Sequence, residues 1–384
     1  MRIAIITPKI VNGDGQGRVN LEVARCLLAR GHDLVLLAQE GAPSLTSHPQ
    51  VTWIPMPGRS WPTALLREAV LAWASARWLR AQRDTLDLIL SNGCVTSVPA
   101  DVNAAHFVHH AWRSAPANEA TGGPLLQRVY RALYTALNVR WERRAFGAAR
   151  RVVAVSEQVR AELVGAGVPP DRIQVIPNGV DTTEFAPGVG DRAALGLPPG
   201  VPLALFVGDL QTSRKNLDTT LRALSRTPRL HLAVVGRVGE SPYPALAAEL
   251  GLTARVHFLD FRTDVPALMR AADFVVCPSR YEPFSLVVLE ALASGCPVVT
   301  SRAVGAASLL TEDCGVVVEN PEDVEALSAA LLRLTAAPAL REQMGRAGRT
   351  LALRHTWTDM ADQYAALLED LAAAPAPLPS RSRV

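Results

Sequence analysis

Short apolar runs recur along the whole chain, and stretches with the apolar spacing of amphipathic helices separate them. Short apolar runs bounded by turn residues indicate buried strands, and strands alternating with helices are typical of a parallel sheet covered by helices. The predicted strands of the first half are 3–7, 34–38, 86–90, 102–107, 151–155 and 173–176. Those of the second half are 203–207, 231–235, 255–259, 274–277 and 297–300. The pattern predicts an α/β fold with two doubly wound strand series.

The length of the chain favours two domains, because 384 residues exceed what one hydrophobic core usually serves. A segment rich in glycine, proline and aspartate, residues 179–200, separates the two strand series and is the predicted linker. We therefore expect domains over 1–182 and 200–355. Residues 373–384 have no periodic apolar face and are predicted to be a flexible tail.

Composition and charge narrow the class of protein. Hydrophobic residues make up 49% of the chain, yet no apolar stretch is long enough for a bilayer span, and the N-terminus does not read as a signal peptide. The five cysteines lie far apart without a C-x-x-C pair, which indicates reduced thiols and a cytoplasmic protein rather than a disulfide framework or zinc site. Basic residues outnumber acidic ones over 1–180 and the reverse holds over 181–384, so the halves are expected to face different partners.

The most informative stretch is 279–297, which follows a predicted strand, turns at Pro283 and becomes helical from about Ser285. The predicted helix is apolar on every face except at Glu290, and a helix of that kind is a buried one. A buried carboxylate needs a partner. A ribose diol of a nucleotide lying across the helix start is one candidate partner, and a structural arginine is the other.

Two further groups flank this helix start. The backbone amides of Phe284, Ser285 and Leu286 are expected to meet a diphosphate, because helix N-termini bind anions. Glu282 precedes the turn and is either a ligand for hydroxyls of a transferred sugar or a solvated loop residue.

Glu282 and Glu290 form an E-x7-E pattern within P-S-x-x-E-x-F-x-L-x-x-L-E-A-x-A-x-G-x-P-V-V. This pattern resembles that of retaining glycosyltransferases of the GT-B fold, family 4 (glycosyl transferases group 1), closely over 275–300 and more loosely over almost the whole chain. The resemblance implies two Rossmann-like domains facing each other across a cleft. It places the acceptor in the first domain and the nucleotide sugar in the second, with a last helix, 356–372, crossing back to the first domain.

A second motif is the strand, loop and helix start of 206–217, which contains Gly208, Arg214 and Lys215. Lys215 is one of only two lysines in the chain. The resemblance implies that this loop faces the diphosphate, where cations stabilise the leaving group. The family commonly has arginine directly after the glycine, whereas this chain has Asp209, so the cationic role is expected to move to Arg214 with Lys215. The alternative is a solvated basic turn.

Two other loops correspond to donor-binding positions of the family. Phe261 and Arg262 follow the strand 255–259, where relatives hold the nucleobase mostly through backbone groups. Residues 304–308 stand where many relatives have a glycine pair followed by Pro-Glu, and that departure leaves the donor open between UDP- and GDP-sugars.

In the first half, the loop Gly13-Asp14-Gly15-Gln16-Gly17 precedes a helix predicted over 18–30. The spacing is not G-x-G-x-x-G, so it indicates dinucleotide binding only weakly, despite Glu40 after the second strand. The resemblance implies instead that Gly15 and Gly17 admit the donor phosphate and the acceptor.

Three histidines, His106, His109 and His110, follow the strand residues 102–105. His106 resembles the active-site histidine of the family, which lies near the reacting sugar and can position a hydroxyl or relay a proton. His109 and His110 are assigned structural or acceptor-positioning roles. No carboxylate or thiolate at ligand spacing completes a metal site with them.

Two basic helices that contain tryptophan are predicted over 61–83 and 127–151. Such helices can lie peripherally on an anionic membrane, here the inner face, or they can be ordinary solvated faces packed by aromatic residues. No recognised motif for nucleic-acid binding accompanies the charge.

The resemblance implies a metal-independent transfer of a glycosyl group to an acceptor hydroxyl, with retention and by front-side displacement, and with no cofactor besides the nucleotide-sugar co-substrate. The acceptor class stays open among glycans, lipid-linked acceptors and small molecules. A nucleotide-sugar epimerase of similar architecture is the alternative from another class, and an NAD-dependent oxidoreductase is a third interpretation.

Overall fold

The computed structural model describes residues 1–373 except Asp14, Pro116 and 119–123. Residues 374–384 of the predicted flexible tail and Asp14 of the glycine-rich loop therefore lie outside the described residues. The strands are β1 (Arg2–Ile6), β2 (Lys9–Ile10), β3 (Asp33–Ala38), β4 (Glu40–Gly41), β5 (Val51–Pro55), β6 (Leu88–Asn92), β7 (Val102–Ala105), β8 (Arg151–Ala154), β9 (Ile173–Val175), β10 (Leu203–Val207), β11 (His231–Val235), β12 (Val256–Phe258), β13 (Phe274–Cys277), β14 (Val298–Ser301) and β15 (Gly315–Val318).

Helices connect these strands, as the apolar spacing predicts. They are α1 (Gly15–Ala29), α2 (Pro43–Thr46), α3 (Ala64–Gln82), α4 (His109–Trp112), α5 (Leu125–Ala148), α6 (Glu157–Gly165), α7 (Leu217–Ser225), α8 (Tyr243–Glu249), α9 (Val265–Ala271), α10 (Leu286–Ala293), α11 (Val324–Ala336), α12 (Pro338–Ala352) and α13 (Trp357–Ala373). Short 3-10 turns occupy Arg83–Thr85, Pro170–Arg172, Ser213–Lys215 and Gly305–Leu309.

Two parallel sheets form the framework. The first has the order β5-β3-β1-β6-β7-β8-β9 and the second has the order β12-β11-β10-β13-β14-β15. The hydrophobic pattern predicts neither β5 nor β15, which both lie at sheet edges. Edge strands bury less surface than central ones: β5 alternates partly buried and exposed residues, so it lacks the continuous apolar run of a central strand. The two-sheet α/β architecture expected from the sequence is confirmed.

The sheets meet at the carboxyl ends of their strands, where ligands of open α/β sheets bind. The Ser156 hydroxyl, at the start of α6, donates a 2.7 Å hydrogen bond to the backbone carbonyl of Pro283. The Tyr281 hydroxyl donates a 3.0 Å hydrogen bond to Glu162. These contacts join the β8–α6 region of the first sheet to the loop after β13 of the second, so the cleft is closed at one side.

The last helix, α13, packs on α1 of the first sheet. Its residues Tyr364 and Leu368 are fully buried in the same apolar core as β1 and β3. Arg30 at the end of α1 pairs with Asp362 at 2.8 Å and with Glu369 at 2.9 Å. The chain therefore passes through the second sheet and returns to the first.

No helix in the described part of the chain is sufficiently long and apolar to pass through a membrane.

The packing of α13 predicts that Leu368→Ala destabilises the protein by about 2–5 kcal/mol, because it leaves a cavity in a closed core. Urea unfolding followed by circular dichroism measures the change. The matched control is Leu332→Ala on α11, whose side chain is 44% exposed and which should cost well under half as much. Equal losses for the two variants would show that α13 contributes little to the core.

Candidate active site between the two domains

The Glu282 carboxylate lies in the loop between β13 and α10. One of its oxygens accepts hydrogen bonds from the Arg214 guanidinium at 2.6 Å and the Lys215 ammonium at 2.5 Å. Burial raises the pKa of Glu282, but the positive charges of Lys215 and Arg214 outweigh burial and hold this pKa below its usual range. The cluster is thus ionised and carries one more positive than negative charge.

Local structure holds the two cations in place. They end the 3-10 turn Ser213–Lys215, and Asn216 then adopts a left-handed conformation with φ 64° before α7 begins. The Asn216 side-chain amide donates to the carbonyls of Pro278 and Pro321 at 2.9 and 2.7 Å. Arg280 binds the carbonyl of Ser213 at 2.6 Å through its guanidinium. The turn is therefore tied to the loop that carries Glu282.

The loop before this turn explains the residues at Gly208 and Asp209. A Cβ at Gly208 would lie 3.0 Å from Cγ of Lys215, so the lysine stem passes directly over the glycine. The Asp209 carboxylate accepts from the Gln211 amide at 2.9 Å and the Thr212 hydroxyl at 2.7 Å. Asp209 therefore stabilises its own loop by hydrogen bonds, at the position where the family commonly has an arginine.

Helix α10 begins at Leu286, directly after Ser285, whose φ is 81°. The backbone N–H groups of its first turn have no acceptor within the helix, which leaves them available for an anion. Behind them, Gly305 donates its N–H to the Glu282 carbonyl at 2.8 Å. A Cβ at Gly305 would lie 1.9 Å from the Pro283 carbonyl oxygen, so only glycine fits there. Residues 304–308 lack the glycine pair and Pro-Glu of many relatives, but they keep Gly305, the glycine that this close approach requires.

Glu290 lies farther along α10, where burial, with a smaller contribution from Glu184, raises its pKa to about 7. Among the described residues, no group donates a hydrogen bond to its carboxyl and no arginine pairs with it. The alternative of a structural ion pair is therefore not what this fold provides. The carboxyl opens on a cavity of about 400 Å³ between the domains, lined also by Gly13, Gly15, Arg18, Asp181, Glu184 and Trp357.

The glycine-rich segment of the first domain faces this cavity. Helix α1 begins at Gly15, so the prediction of a loop through Gly17 with a helix from residue 18 is wrong at its boundary. Glycine is a poor helix former, but the helix is set by packing of its later apolar residues and its first turn tolerates glycine. A Cβ at Gly15 would lie 3.5 Å from the Leu286 side chain, and Gly17 is buried. The start of α1 and the start of α10 therefore approach each other across the cleft.

On the first-domain side, a smaller cavity of about 170 Å³ contains His106. Its Nε2 lies 3.1 Å from the Asn92 side-chain oxygen. Glu142 holds His109, with 2.6 Å between the carboxylate and Nδ1 and 2.8 Å to the backbone N–H, while His110 is exposed. His109 is thus firmly positioned by a carboxylate, and His106 lines the cavity as a partly buried side chain.

The side chains of Phe261 and Arg262, the two residues predicted at the nucleobase, lie outside the Glu290 cavity. Phe261 is 64% exposed, with the Arg237 guanidinium 5.9 Å from its ring. Arg262 is paired with Asp264, its Nε 2.7 Å from a carboxylate oxygen. In the part of the chain that the structure covers, no group of three or more histidine, cysteine or carboxylate side chains converges as a metal site.

Two family models match the chain one after the other. The model of Glycosyltransferase Family 4 matches residues 13–184, and that of Glycosyl transferases group 1 matches residues 190–351. The chain belongs to glycosyltransferase family 4. A D-inositol 3-phosphate glycosyltransferase from Mycobacterium tuberculosis is 38% identical over 227 residues, which cover 56% of this family 4 chain and 47% of the relative. The match thus spans about half the length of that relative.

Solved structures give the same fold. A sucrose-phosphate synthase from Thermosynechococcus elongatus superposes with a TM-score of 0.81 at 23% identity, covering 97% of this chain and all of that one. HepE from Anabaena, in complex with UDP-glucose, superposes with a TM-score of 0.70 at 20% identity over 96% of this chain and 100% of that one. The GT-B fold expected from the sequence is therefore confirmed.

Several residues of this family 4 site were not predicted from the sequence. Arg18, Asp181, Glu184 and Trp357 come from the start of α1, the linker and the start of α13. The Arg18 guanidinium lies 5.6 Å from the Trp357 ring and 3.6 Å from Asp181. No local motif marks them, because their proximity depends on the return of α13 to the first domain.

The raised pKa of Glu290 predicts a pH dependence of stability in the absence of ligand. Between about pH 4.5, the ordinary value, and about pH 7, the folded state keeps a proton that the unfolded chain has lost. The contribution of Glu290 to the free energy of unfolding therefore falls as pH rises through this window.

Glu290→Gln removes this pH-dependent contribution. The variant should therefore match the parent near pH 4 and exceed its free energy of unfolding by on the order of 3 kcal/mol at pH 8. Urea unfolding at a series of pH values measures the difference. Exposed Glu249→Gln is the control and should shift stability equally at all pH values. A constant offset for Glu290→Gln as well would contradict a buried, unpaired carboxyl.

Proposed function

We propose that the protein is a retaining glycosyltransferase that moves a sugar from a nucleoside diphosphate sugar to an acceptor hydroxyl. The observation that carries the proposal is the Glu290 carboxyl. It is partly buried on an otherwise apolar helix, has no partner among the residues that the structure describes and lines the interdomain cavity. A ribose diol supplies two donors to such a carboxylate, and the burial cost is offset when it binds.

The neighbouring groups suit the rest of the donor. The diphosphate lies at the open amides of Ser285 and Leu286, with Arg214 and Lys215 on its other side, so its charge is neutralised without a metal ion. Glu282, already ionised between these cations, accepts hydrogen bonds from hydroxyls of the transferred sugar. Phe261 and Arg262 contact the nucleobase only through the backbone of their loop, in keeping with the exposed phenyl ring and the arginine paired to Asp264.

The reaction is a front-side displacement, in keeping with the retention that the family implies. The acceptor oxygen forms a bond to the anomeric carbon on the face from which the diphosphate departs, and the bond from that carbon to the diphosphate oxygen breaks. The acceptor proton passes to the departing phosphate oxygen. Arg214, Lys215 and the amides of α10 stabilise the charge that develops on this leaving group, and closure of the cleft excludes water.

UDP-glucose is the first donor to test, because HepE, which shares the fold of this chain, was solved in complex with it. GDP-sugars are the second class. The acceptor enters from the first-domain side, past Gly15 and Gly17, and its hydroxyl meets His106, which positions it for attack. An epimerase would convert UDP-glucose without an acceptor, so dependence of UDP release on an added acceptor separates the two functions.

Donor binding should depend on Lys215 and Glu290. Lys215→Ala and Glu290→Ala are each expected to weaken UDP binding at least tenfold in isothermal titration calorimetry, because one removes a charge from the diphosphate and the other the ribose acceptor. Arg226→Ala is the control, since this exposed arginine pairs with Glu325 at the far end of α7. Unchanged affinity of both site variants for UDP and GDP would overturn the site.

Catalysis should depend on His106 without any change in donor affinity. His106→Ala is expected to lower UDP release from UDP-glucose by about 10²–10⁴-fold with an acceptor from a glycoside panel, as loss of a positioning or proton-relaying group does. His110→Ala is the matched control, because that side chain is exposed. A weakened UDP affinity in His106→Ala would mean that the histidine supports donor binding and not the acceptor hydroxyl.

A further inference from the structure

Helices α3 and α5 of the first domain lie side by side, and their carboxylates face inward. The Tyr134 hydroxyl donates to Glu68 at 2.6 Å, and the Asn138 amide donates to Glu68 at 3.2 Å. Glu142 is buried against His109. Glu68 and Glu142 are the only acidic residues of these two helices. The charges that the helix pair presents to solvent are therefore arginines, namely Arg67, Arg77, Arg80, Arg128, Arg131, Arg140, Arg143 and Arg144.

An apolar groove runs between these helices, with a volume of about 440 Å³. We call it the alanine groove; the helices line it with Ala69, Ala72, Trp73, Trp141, Ala145 and Ala148, and residues of the loop 94–99 line the rest. Small side chains on both helices leave the space open, and the two tryptophans form its walls. Trp73 is 63% exposed although it is among the largest apolar side chains. Arg77 stacks on Trp73 with 5.8 Å to the ring centroid, and Arg144 lines the groove.

The alanine groove adjoins the cavity that contains His106. Cys94 lines both spaces, and its sulfur lies 3.4 Å from the Asn138 side-chain oxygen. On one side of Cys94 the walls are alanine and tryptophan. On the other they carry Glu68, Glu142 and His106, which suit hydroxyl groups. An apolar space and a polar space thus lie next to each other in the first domain.

We propose that the alanine groove holds the hydrocarbon chain of an amphiphilic acceptor whose hydroxylated head occupies the cavity of His106. This inference rests on the proposed function and names its acceptor class. A narrow, concave and apolar groove fits an extended alkyl chain, and burial of such a chain is favourable in proportion to its area.

The charge around the groove favours the same occupant over a second copy of this chain. A symmetric pairing of two copies through this face would bring arginines against arginines, which is unfavourable. An arginine-only rim instead matches the anionic surface of a lipid layer, from which an amphiphilic acceptor is drawn. Trp73 beside Arg77 also resembles the aromatic and basic pairing typical of membrane interfaces.

The test compares n-octyl and methyl β-D-glucoside, both below the micelle concentration of the octyl compound, by isothermal titration calorimetry on the full chain. Each methylene fully buried in the groove tightens binding about fourfold, so the octyl glucoside is expected to bind at least tenfold more tightly. Ala145→Trp fills the groove and should abolish this ratio. Ala132→Trp, at an exposed position of the same helix, is the matched control and should keep it.

A second variant covers the case in which Ala145→Trp fails to fold. Trp73→Ala removes one wall of the groove from an exposed position, and it should reduce the octyl-to-methyl ratio severalfold with an unchanged melting temperature. UDP titrations of the same samples report separately on the proposed function. If the parent does not bind UDP, the transferase proposal is wrong, and the octyl-to-methyl ratio still reports on the groove. If the parent binds UDP but binds the octyl and methyl glucosides equally, only the groove inference is wrong.

Two other outcomes would also overturn the groove inference. Vesicles of phosphatidylcholine and phosphatidylglycerol that bind the parent and Ala145→Trp equally, with no octyl preference in solution, would mean that the arginines act as a surface and the groove stays empty. A dimer in sedimentation that Ala145→Trp abolishes would assign the groove to a second copy of the chain.

Discussion

Two carboxyl groups held within an apolar part of the second domain are the constraint on which the site depends. Glu282 and Glu290 belong to one loop and helix, yet their surroundings differ: two cations hold the first ionised, and the second has no partner in the described part of the chain and a pKa raised to about 7. A carboxyl that is removed from water without a hydrogen-bond partner lowers the stability of the fold. Two hydroxyl groups of a bound ligand can offset this loss at Glu290. The same low-polarity surroundings strengthen the hold of Arg214 and Lys215 on Glu282.

Around these charges the backbone is fixed by side chains that have no part in the chemistry. Asn216 and Arg280 bind carbonyl groups of the neighbouring turns. Gly305 has no side chain, so the backbone carbonyl of Pro283 can lie directly against it. Ser156 and Tyr281 join this framework to the other domain. The cations, the carboxylates and the helix amides are therefore positioned before any ligand arrives, which is the condition for electrostatic stabilisation of a leaving group.

The two sides of the cleft differ in kind. The second domain offers charges and open amides, whereas the first offers the His106 cavity and, beyond Cys94, a groove of alanine and tryptophan. Inward-facing Glu68 and Glu142 connect these features, because they line the cavity and at the same time leave only arginine on the outer faces of α3 and α5. One arrangement of side chains thus shapes the proposed acceptor pocket and the charge of the surface around it.

The sequence by itself determined the α/β class and the central strands, because these follow from local periodicity. It also predicted the linker and the site residues Glu282, Glu290, Arg214 and Lys215, from residues close together in the chain and from the resemblance to the family. It did not reveal the edge strands β5 and β15. In β5, exposed positions interrupt the apolar run. Only the tertiary structure decided that Glu290 has no arginine partner among the described residues, that Asp209 braces its own loop, and that Arg18, Glu184 and Trp357 share one cavity. Those facts depend on the three-dimensional arrangement of the chain, much of it between residues far apart in sequence, which no local pattern encodes.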